Sequence, residues 1–104
     1  MQKIDRLRAA LEGRALDRPP VTAWVHFLSD HLAGAESARL HLEFQRAYDW
    51  DLVKVMNDYR YPVPPGVDTL ADARAFDAYC KAPALEAPCF AEQLSCLATL
   101  RREL

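Results

Sequence analysis

Apolar residues along this chain follow two spacings, and each spacing predicts a different element. Two runs, "VTAWVHFL" at 21–28 and "DLVKVM" at 51–56, are rich in branched and aromatic side chains and lack clean polar alternation, which predicts strands buried on both faces. Elsewhere the apolar positions recur at helical spacing, with charged residues between them. This spacing predicts helices over 4–11, 40–48, 69–81 and 90–104.

The order of these elements predicts an α/β fold. A strand, a helix and a second strand, joined by a crossover of about a dozen or more residues, form a parallel pair. Strands buried on both faces belong to larger α/β assemblies, so two of them alone leave sheet edges unpaired. The sheet predicted from this chain is therefore incomplete.

The connections after the second run have their own signals. Three prolines and Gly66 predict a stiff loop in "YPVPPGVD" at 61–68, and Asp68 or Thr69 can cap the helix that follows. Asp72 lies in the first turn of that helix, where it favours the helix dipole. The segment "APALEAP" at 82–88 is predicted to link the last two helices.

Composition excludes several classes of protein. The chain has 104 residues, of which 51% are hydrophobic and 27% charged, as in globular proteins. Its net charge of −2, without a run of lysine or arginine, argues against binding to nucleic acid or an anionic membrane. No secretory signal or apolar run of roughly 20 residues is present, so we expect a cytoplasmic protein. Three cysteines without a CxxC motif predict reduced thiols.

Several motifs together resemble one protein family. "ALEGRALDRPPVTAWVHF", "YDWDLVKVMNDY", the proline-rich loop and "EQLSCLATLRREL" resemble the amino-terminal part of the uroporphyrinogen decarboxylase superfamily. This superfamily includes the decarboxylases of haem synthesis and corrinoid-dependent methyltransferases. The resemblance implies a (β/α)8 TIM barrel, which needs roughly 250 residues. Residues 1–104 would form a single incomplete domain, with the first two parallel strands and their surrounding helices, and we expect this piece to be inactive alone.

Asp58 is the candidate catalytic residue. It lies at the carboxyl end of the second predicted strand, where barrel enzymes place functional groups. In the decarboxylases an aspartate at this strand end binds the pyrrole nitrogens and stabilises a cationic intermediate, and the resemblance gives Asp58 that role. The alternative is that Asp58 only turns the chain into the following loop.

His26, Tyr59 and Arg60 are the candidate substrate-binding residues. The decarboxylases carry two arginines four positions apart after the first strand, and alignment on Trp24 places His26 and Asp30 there. Histidine is only a titrating cation and aspartate repels a carboxylate, which favours a divergent or methyltransferase-like branch. Tyr59 and Arg60 follow Asp58, where they can touch a ring-shaped ligand or pack on the surface.

The partners implied depend on the branch. A decarboxylase acts on a tetrapyrrole without a cofactor, whereas a methyltransferase uses a corrinoid and zinc, with zinc ligands that would lie beyond Leu104. His26, His31 and His41 have no recognised ligand spacing, so no metal site is predicted in this chain. Lys54 shares strand parity with Asp58 and lies either inward or at an exposed edge. A different class remains open, a non-enzymatic helical interaction module, with homo-oligomers formed through the helix at 90–104 or exposed sheet edges.

Overall fold

The computed structural model describes residues 1–60, 63, 71, 73–81 and 87–104, except for the side chain of Ala73. Within these ranges every regular element is a helix, and no strand is present. The predicted loop at 61–68, except Val63, the residues predicted to cap the next helix, and Asp72 lie outside the described residues, as does the linker at 82–88 except its last two residues. The four helices are α1 (Lys3–Leu11), α2 (Gly34–Tyr48), α3 (Ala73–Lys81) and α4 (Pro88–Glu103).

The predicted α/β fold, with two parallel strands of a partial TIM barrel, is wrong. Residues 21–28, here the first segment, and residues 51–58, the second segment, are irregular. Between these two segments a single backbone hydrogen bond is found, from the amide of Asp51 to the carbonyl of Val21 at 3.0 Å. A sheet needs a repeating ladder of such bonds, and this pair of segments has none.

Side chains form hydrogen bonds with the backbone groups that a β-ladder would use. Asp51 Oδ2 accepts from the Val21 amide at 2.9 Å, and the Thr22 hydroxyl donates to the Leu52 carbonyl at 2.8 Å. At the other end, Asp58 Oδ2 accepts from the Phe27 amide at 3.0 Å. These contacts keep the two segments side by side in the same direction, because residues 21, 22 and 27 meet residues 51, 52 and 58 in order.

The two segments have one covered and one exposed face. On the covered face the Phe27 ring meets His41 and Phe44 of α2 edge-on, with centroids 4.8 Å and 5.6 Å away. On the opposite face Trp24 is 70% exposed, and the Lys54 ammonium lies 5.5 Å from the centre of its ring. Lys54 therefore lies at the exposed face, where a cation–π contact holds it.

The core lies where α2 crosses α4. It consists of Ala38, Leu42, Cys96 and Leu100, all buried, with Val55 of the second segment packed against them. The helical spacing of Leu40, Phe44, Ala47 and Tyr48 predicts that these residues form the buried face of α2, but the face that is buried is rotated away from them. The residues that α2 buries are Gly34, Ser37, Ala38, His41 and Leu42.

Small residues explain this rotation, because they let the two helices approach closely. A Cβ atom at Gly34 would lie 2.8 Å from Ser95 Cβ, 2.9 Å from the Cys96 nitrogen and nearer still to the Glu92 carbonyl oxygen. Ala33 precedes α2 and has no capping side chain, so Glu92 of α4 takes this role. Its carboxylate accepts from the Gly34 amide at 2.6 Å and places negative charge at the positive end of α2.

A buried ion cluster fixes α1 and the start of both segments. The Asp51 side chain is fully buried between the guanidinium groups of Arg6 and Arg18, and Arg6 also forms two hydrogen bonds with Asp17, at 2.8 Å and 2.7 Å. The hydrogen bond from Arg18 is the main cause that lowers the pKa of Asp51, with the Val21 amide and Arg6 adding to it against the effect of burial. Arg6 likewise holds the pKa of Asp17 well below its ordinary value.

The chain as a whole is elongated. Its radius of gyration is 18.1 Å, whereas a compact domain of this length has about 13 Å. Much apolar surface stays outside the small core, including Trp24 and Leu28, which are 70% and 73% exposed. Across the parts of the chain that the structure describes, no helix is both long enough and apolar enough to cross a membrane.

The close approach at Gly34 predicts that Gly34→Ala destabilises the protein. Overpacking costs about 1–3 kcal/mol, which exceeds the gain of at most about 1 kcal/mol that alanine brings to a helix. Urea unfolding followed by circular dichroism measures the difference. The control is Ala35→Gly, which tests helix propensity at an exposed neighbouring position. A more stable Gly34→Ala variant would contradict the close contact between α2 and α4.

The ion cluster predicts that Asp51→Asn lowers the denaturant concentration at the midpoint of unfolding at pH 7. The pKa values of Asp17 and Asp51 are lowered by folding, so their contribution is complete above the unfolded value of about 3.9. It is lost as the pH falls through the lower folded-state values, and the variant should therefore differ less from the parent in acid. Asp77→Asn, which affects an exposed pair with Lys81, is the control. Equal midpoints for parent and Asp51→Asn at pH 7 would refute this role.

Candidate functional site

The Asp58 carboxylate is held at the end of the second segment by groups of the first segment and the residue after it. Its Oδ2 atom accepts from the Phe27 amide at 3.0 Å, the Ser29 amide at 3.4 Å and the Ser29 hydroxyl at 3.3 Å. Only 4% of the Asp58 side chain is exposed. The carboxylate is thus fixed in position and nearly closed to solvent.

The backbone at Leu28 explains why two amides meet one oxygen. Leu28 has a φ of 54°, in the left-handed region that residues other than glycine rarely adopt. A left-handed residue between two amides directs both toward a common anion, as in the backbone nests that bind anions. The strain at Leu28 is therefore offset by hydrogen bonds to Asp58, as occurs at many functional sites.

His26 completes this arrangement at the surface. Its Nδ1 atom lies 2.7 Å from Asp58 Oδ1, and 54% of its side chain is exposed. Burial raises the pKa of Asp58, but hydrogen bonds from His26 and the amides of Ser29 and Phe27 outweigh it, so the net pKa is lowered. The ionised carboxylate only accepts, so Nδ1 must carry a proton, and Nε2 is the ring atom left for a ligand.

Arg60 shares an open concavity with this pair. The concavity is lined by His26, Leu28, Asp30, Asn57, Asp58 and Arg60. Arg60 is almost fully exposed and its Nε atom lies 3.6 Å from Asp30, which makes a weak ion pair at the surface. The guanidinium is therefore able to turn toward a ligand without breaking a buried contact.

Tyr59 lies apart from this concavity. It is buried, and its hydroxyl donates to the Leu32 carbonyl at 2.9 Å. Burial raises the pKa of Tyr59, with a hydrogen bond to Ser37 acting against it. The structure thus brings Asp58, His26 and Arg60 together and directs Tyr59 into the protein.

Ser29 is the residue of this site that the sequence reasoning missed. It lies in "SDHLAGAES", a polar segment that was interpreted only as a connection between elements. Its side chain is buried, and its hydroxyl also lies 2.9 Å from the Ser37 hydroxyl of α2. The one signal for it in the sequence is its position directly after an apolar run, which alone does not distinguish a ligand of Asp58 from an ordinary turn residue.

The three histidines lie in different environments. His31 is exposed with Nδ1 3.8 Å from Asp30, whereas His41 is buried with Nδ1 2.8 Å from the Ser37 carbonyl. Within the described parts of the chain, no group of three or more histidine, cysteine, aspartate or glutamate side chains is placed to hold a metal ion.

A buried carboxylate that orients an exposed imidazole is suited to proton transfer. The carboxylate orients the ring through Nδ1, which leaves Nε2 as the ring atom able to give or take a proton. Comparison with known proteins adds no family to this picture: no protein-family model, curated protein or solved structure matches the chain.

Proposed function

We propose that this chain carries the substrate-binding and proton-transfer site of a carboxy-lyase of the uroporphyrinogen decarboxylase type, acting in the cytoplasm. The motifs around the first and second segments support this assignment. The observation that carries the proposal is the hydrogen bond from His26 to the nearly buried Asp58.

The chemistry of decarboxylation explains why this pair is useful. Release of carbon dioxide from an acetate group on a pyrrole consumes one proton, and protonation of the ring carbon creates a cation. His26 donates the proton from Nε2, while the fixed negative charge of Asp58 holds the imidazolium and stabilises nearby positive charge. Asp58 acts behind His26 in this proposal, because its own carboxylate is almost closed to solvent.

Arg60 gives the site a permanent cation for a substrate carboxylate. Its weak pairing with Asp30 at the surface leaves it available. Asp30, on the same concavity, repels carboxylates and limits how many can be held at once. The site therefore fits a tetrapyrrole presenting one acetate to His26 and Arg60, and we expect the isolated chain to bind such a ligand without turning it over.

Binding of uroporphyrin, a fluorescent oxidised tetrapyrrole with eight carboxylates, tests this proposal. We expect saturable binding, with affinity lowered about tenfold or more by His26→Ala and Asp58→Asn, because hydrogen bonds to charged groups are worth about 1.5–3 kcal/mol. Fluorescence anisotropy of the porphyrin measures the binding. His31→Ala and Asp77→Asn, at exposed positions, should bind as the parent does. Equal affinity for all five proteins would exclude the assigned site, and turnover by the isolated chain would contradict its expected inactivity.

A second candidate function is a helical interaction module that forms dimers through α4. The specific observation is that Leu94, Leu97 and Leu104 are 66%, 42% and 66% exposed. Their helical spacing, shared with Phe90 and Leu100, predicts that they form one apolar stripe along this helix. Only Cys96 and Leu100 of α4 are buried. An exposed apolar row on a well-formed helix is typical of a surface that binds another protein.

Light scattering of the purified chain distinguishes this second function. A dimer through α4 has twice the 11.8 kDa mass of the chain, and Leu97→Glu should convert it to a monomer because a charge would be buried in the contact. Ala98→Glu, at an exposed position beside it, is the matched control and should leave the dimer intact. A monomeric parent protein, or a dimer that Leu97→Glu leaves unchanged, would eliminate α4 as the contact.

A further inference from the structure

A chain of buried hydrogen bonds leads from the core to Asp58. The Cys96 thiol of α4 lies 3.8 Å from the Ser37 hydroxyl of α2, which lies 2.9 Å from the Ser29 hydroxyl. Ser29 in turn contacts Asp58 at 3.3 Å, and Asp58 contacts His26 at 2.7 Å. Cys96, Ser37 and Ser29 are each at most 2% exposed, so water does not compete for these bonds.

The direction of each bond follows from Asp58. An ionised carboxylate only accepts, so the Ser29 hydroxyl donates to it and must accept from the Ser37 hydroxyl. Ser37 then accepts from the Cys96 thiol, which stays protonated because burial raises its pKa, a shift that the bond with Ser37 only reduces. With the proton on each hydroxyl assigned in this way, all the hydrogen bonds from Cys96 to Asp58 form at the same time. If each hydroxyl donated in the opposite direction, the Ser29 oxygen and the Asp58 carboxylate would both be acceptors, and no hydrogen bond would join them.

We infer that Ser29 and Ser37 are positioning residues, which hold the Asp58 carboxylate in the orientation that binds His26. This series of hydrogen bonds joins the α2–α4 contact to the mouth of the concavity. The packing of the two helices is therefore coupled to the orientation of His26. Hydrogen bonds in such a series polarise one another. Loss of the Ser37 hydroxyl therefore weakens the hydrogen bond that Asp58 accepts from Ser29, although Ser37 and Asp58 do not touch. The catalytic importance of this role rests on the proposed function, whereas the coupling itself does not.

Other titratable groups near the chain are few. His26 contacts Asp58, and Asp30 and Arg60 share its concavity. The buried His41 lies 2.8 Å from the Ser37 carbonyl, and Tyr59 with Glu92 lies on the side of α4. Tyr59 is not a neutral comparison, because its hydroxyl also interacts with Ser37. Thr99 of α4 is the useful comparison, because its hydroxyl contacts Arg102 and lies outside this series of hydrogen bonds. Its removal tests whether any hydroxyl of the helix pair affects Asp58 or only those in the series.

Titration of the Asp58 carboxyl carbon by NMR in the full chain tests the inference without a ligand. In Ser29→Ala the pKa of Asp58 should rise toward its ordinary value, because a donor to the carboxylate is lost. In Ser37→Ala it should rise less, in the same direction, and Ser37→Thr, which keeps the hydroxyl, should restore the parent value. Thr99→Val, which removes a hydroxyl outside the series, should leave the titration unchanged. Circular dichroism confirms that each variant is folded.

The outcomes separate this inference from the proposed function. An Asp58 titration in Ser37→Ala identical to that of the parent, or a Thr99→Val effect as large as that of Ser37→Ala, would overturn the coupling. In the uroporphyrin assay, Ser29→Ala should weaken binding about twofold to tenfold, as expected for one hydrogen bond. If no variant alters porphyrin binding while the Asp58 titration changes as expected, the proposed function fails and the coupling stands.

Discussion

Two aspartates of the second segment hold the structure together, one at each of its ends. Asp51 accepts from the Val21 amide and Asp58 from the Phe27 amide, so both carboxylates bind the backbone of the first segment. A buried carboxylate is costly unless hydrogen bonds and cations surround it, which fixes the position of each end closely. The covered face between these ends then rests on α2, and α4 completes the core.

The same aspartates explain why the predicted strands do not form. Apolar runs at 21–28 and 51–56 carry a strand pattern, and the two segments do run side by side. Hydrophobic periodicity reports which residues avoid water, but it does not report which group takes each backbone amide. Periodicity places α1 and α4 well, with α1 at Lys3–Leu11 against 4–11 and α4 at Pro88–Glu103 against 90–104. It misses the start of α2, which spans Gly34–Tyr48 against 40–48, because the first turns of this helix carry small and polar residues.

Only some residues of the candidate site were predictable from the sequence, and their arrangement was not. The family resemblance singled out Asp58 and His26, and the position after Asp58 singled out Arg60. A contact between residues 26 and 58 depends on how the two segments align. Ser29 and Ser37 carry no pattern of their own, because their hydroxyls acquire a role only when α2 is placed beside the first segment. The rotation of α2 toward Gly34 and Ala38 sets that placement, and it follows from the close approach of α4, which the spacing of large apolar residues does not report.

Asp51 and Asp58 share a residue type, a segment and a backbone contact, yet only one is suited to chemistry. Both oxygens of Asp51 bind arginine, a permanent cation, in a fully buried cluster, so its bonds persist over the whole physiological pH range. Asp58 binds a half-exposed histidine, the side chain type whose charge ordinarily changes in that range. Both aspartates bind the backbone of the first segment, but only the Asp58 pair presents an exposed ring to a ligand. The arginine cluster at Asp51 holds the opposite end of the second segment with permanent charges, so Asp58 and His26 meet at the open end of a segment whose other end is fixed.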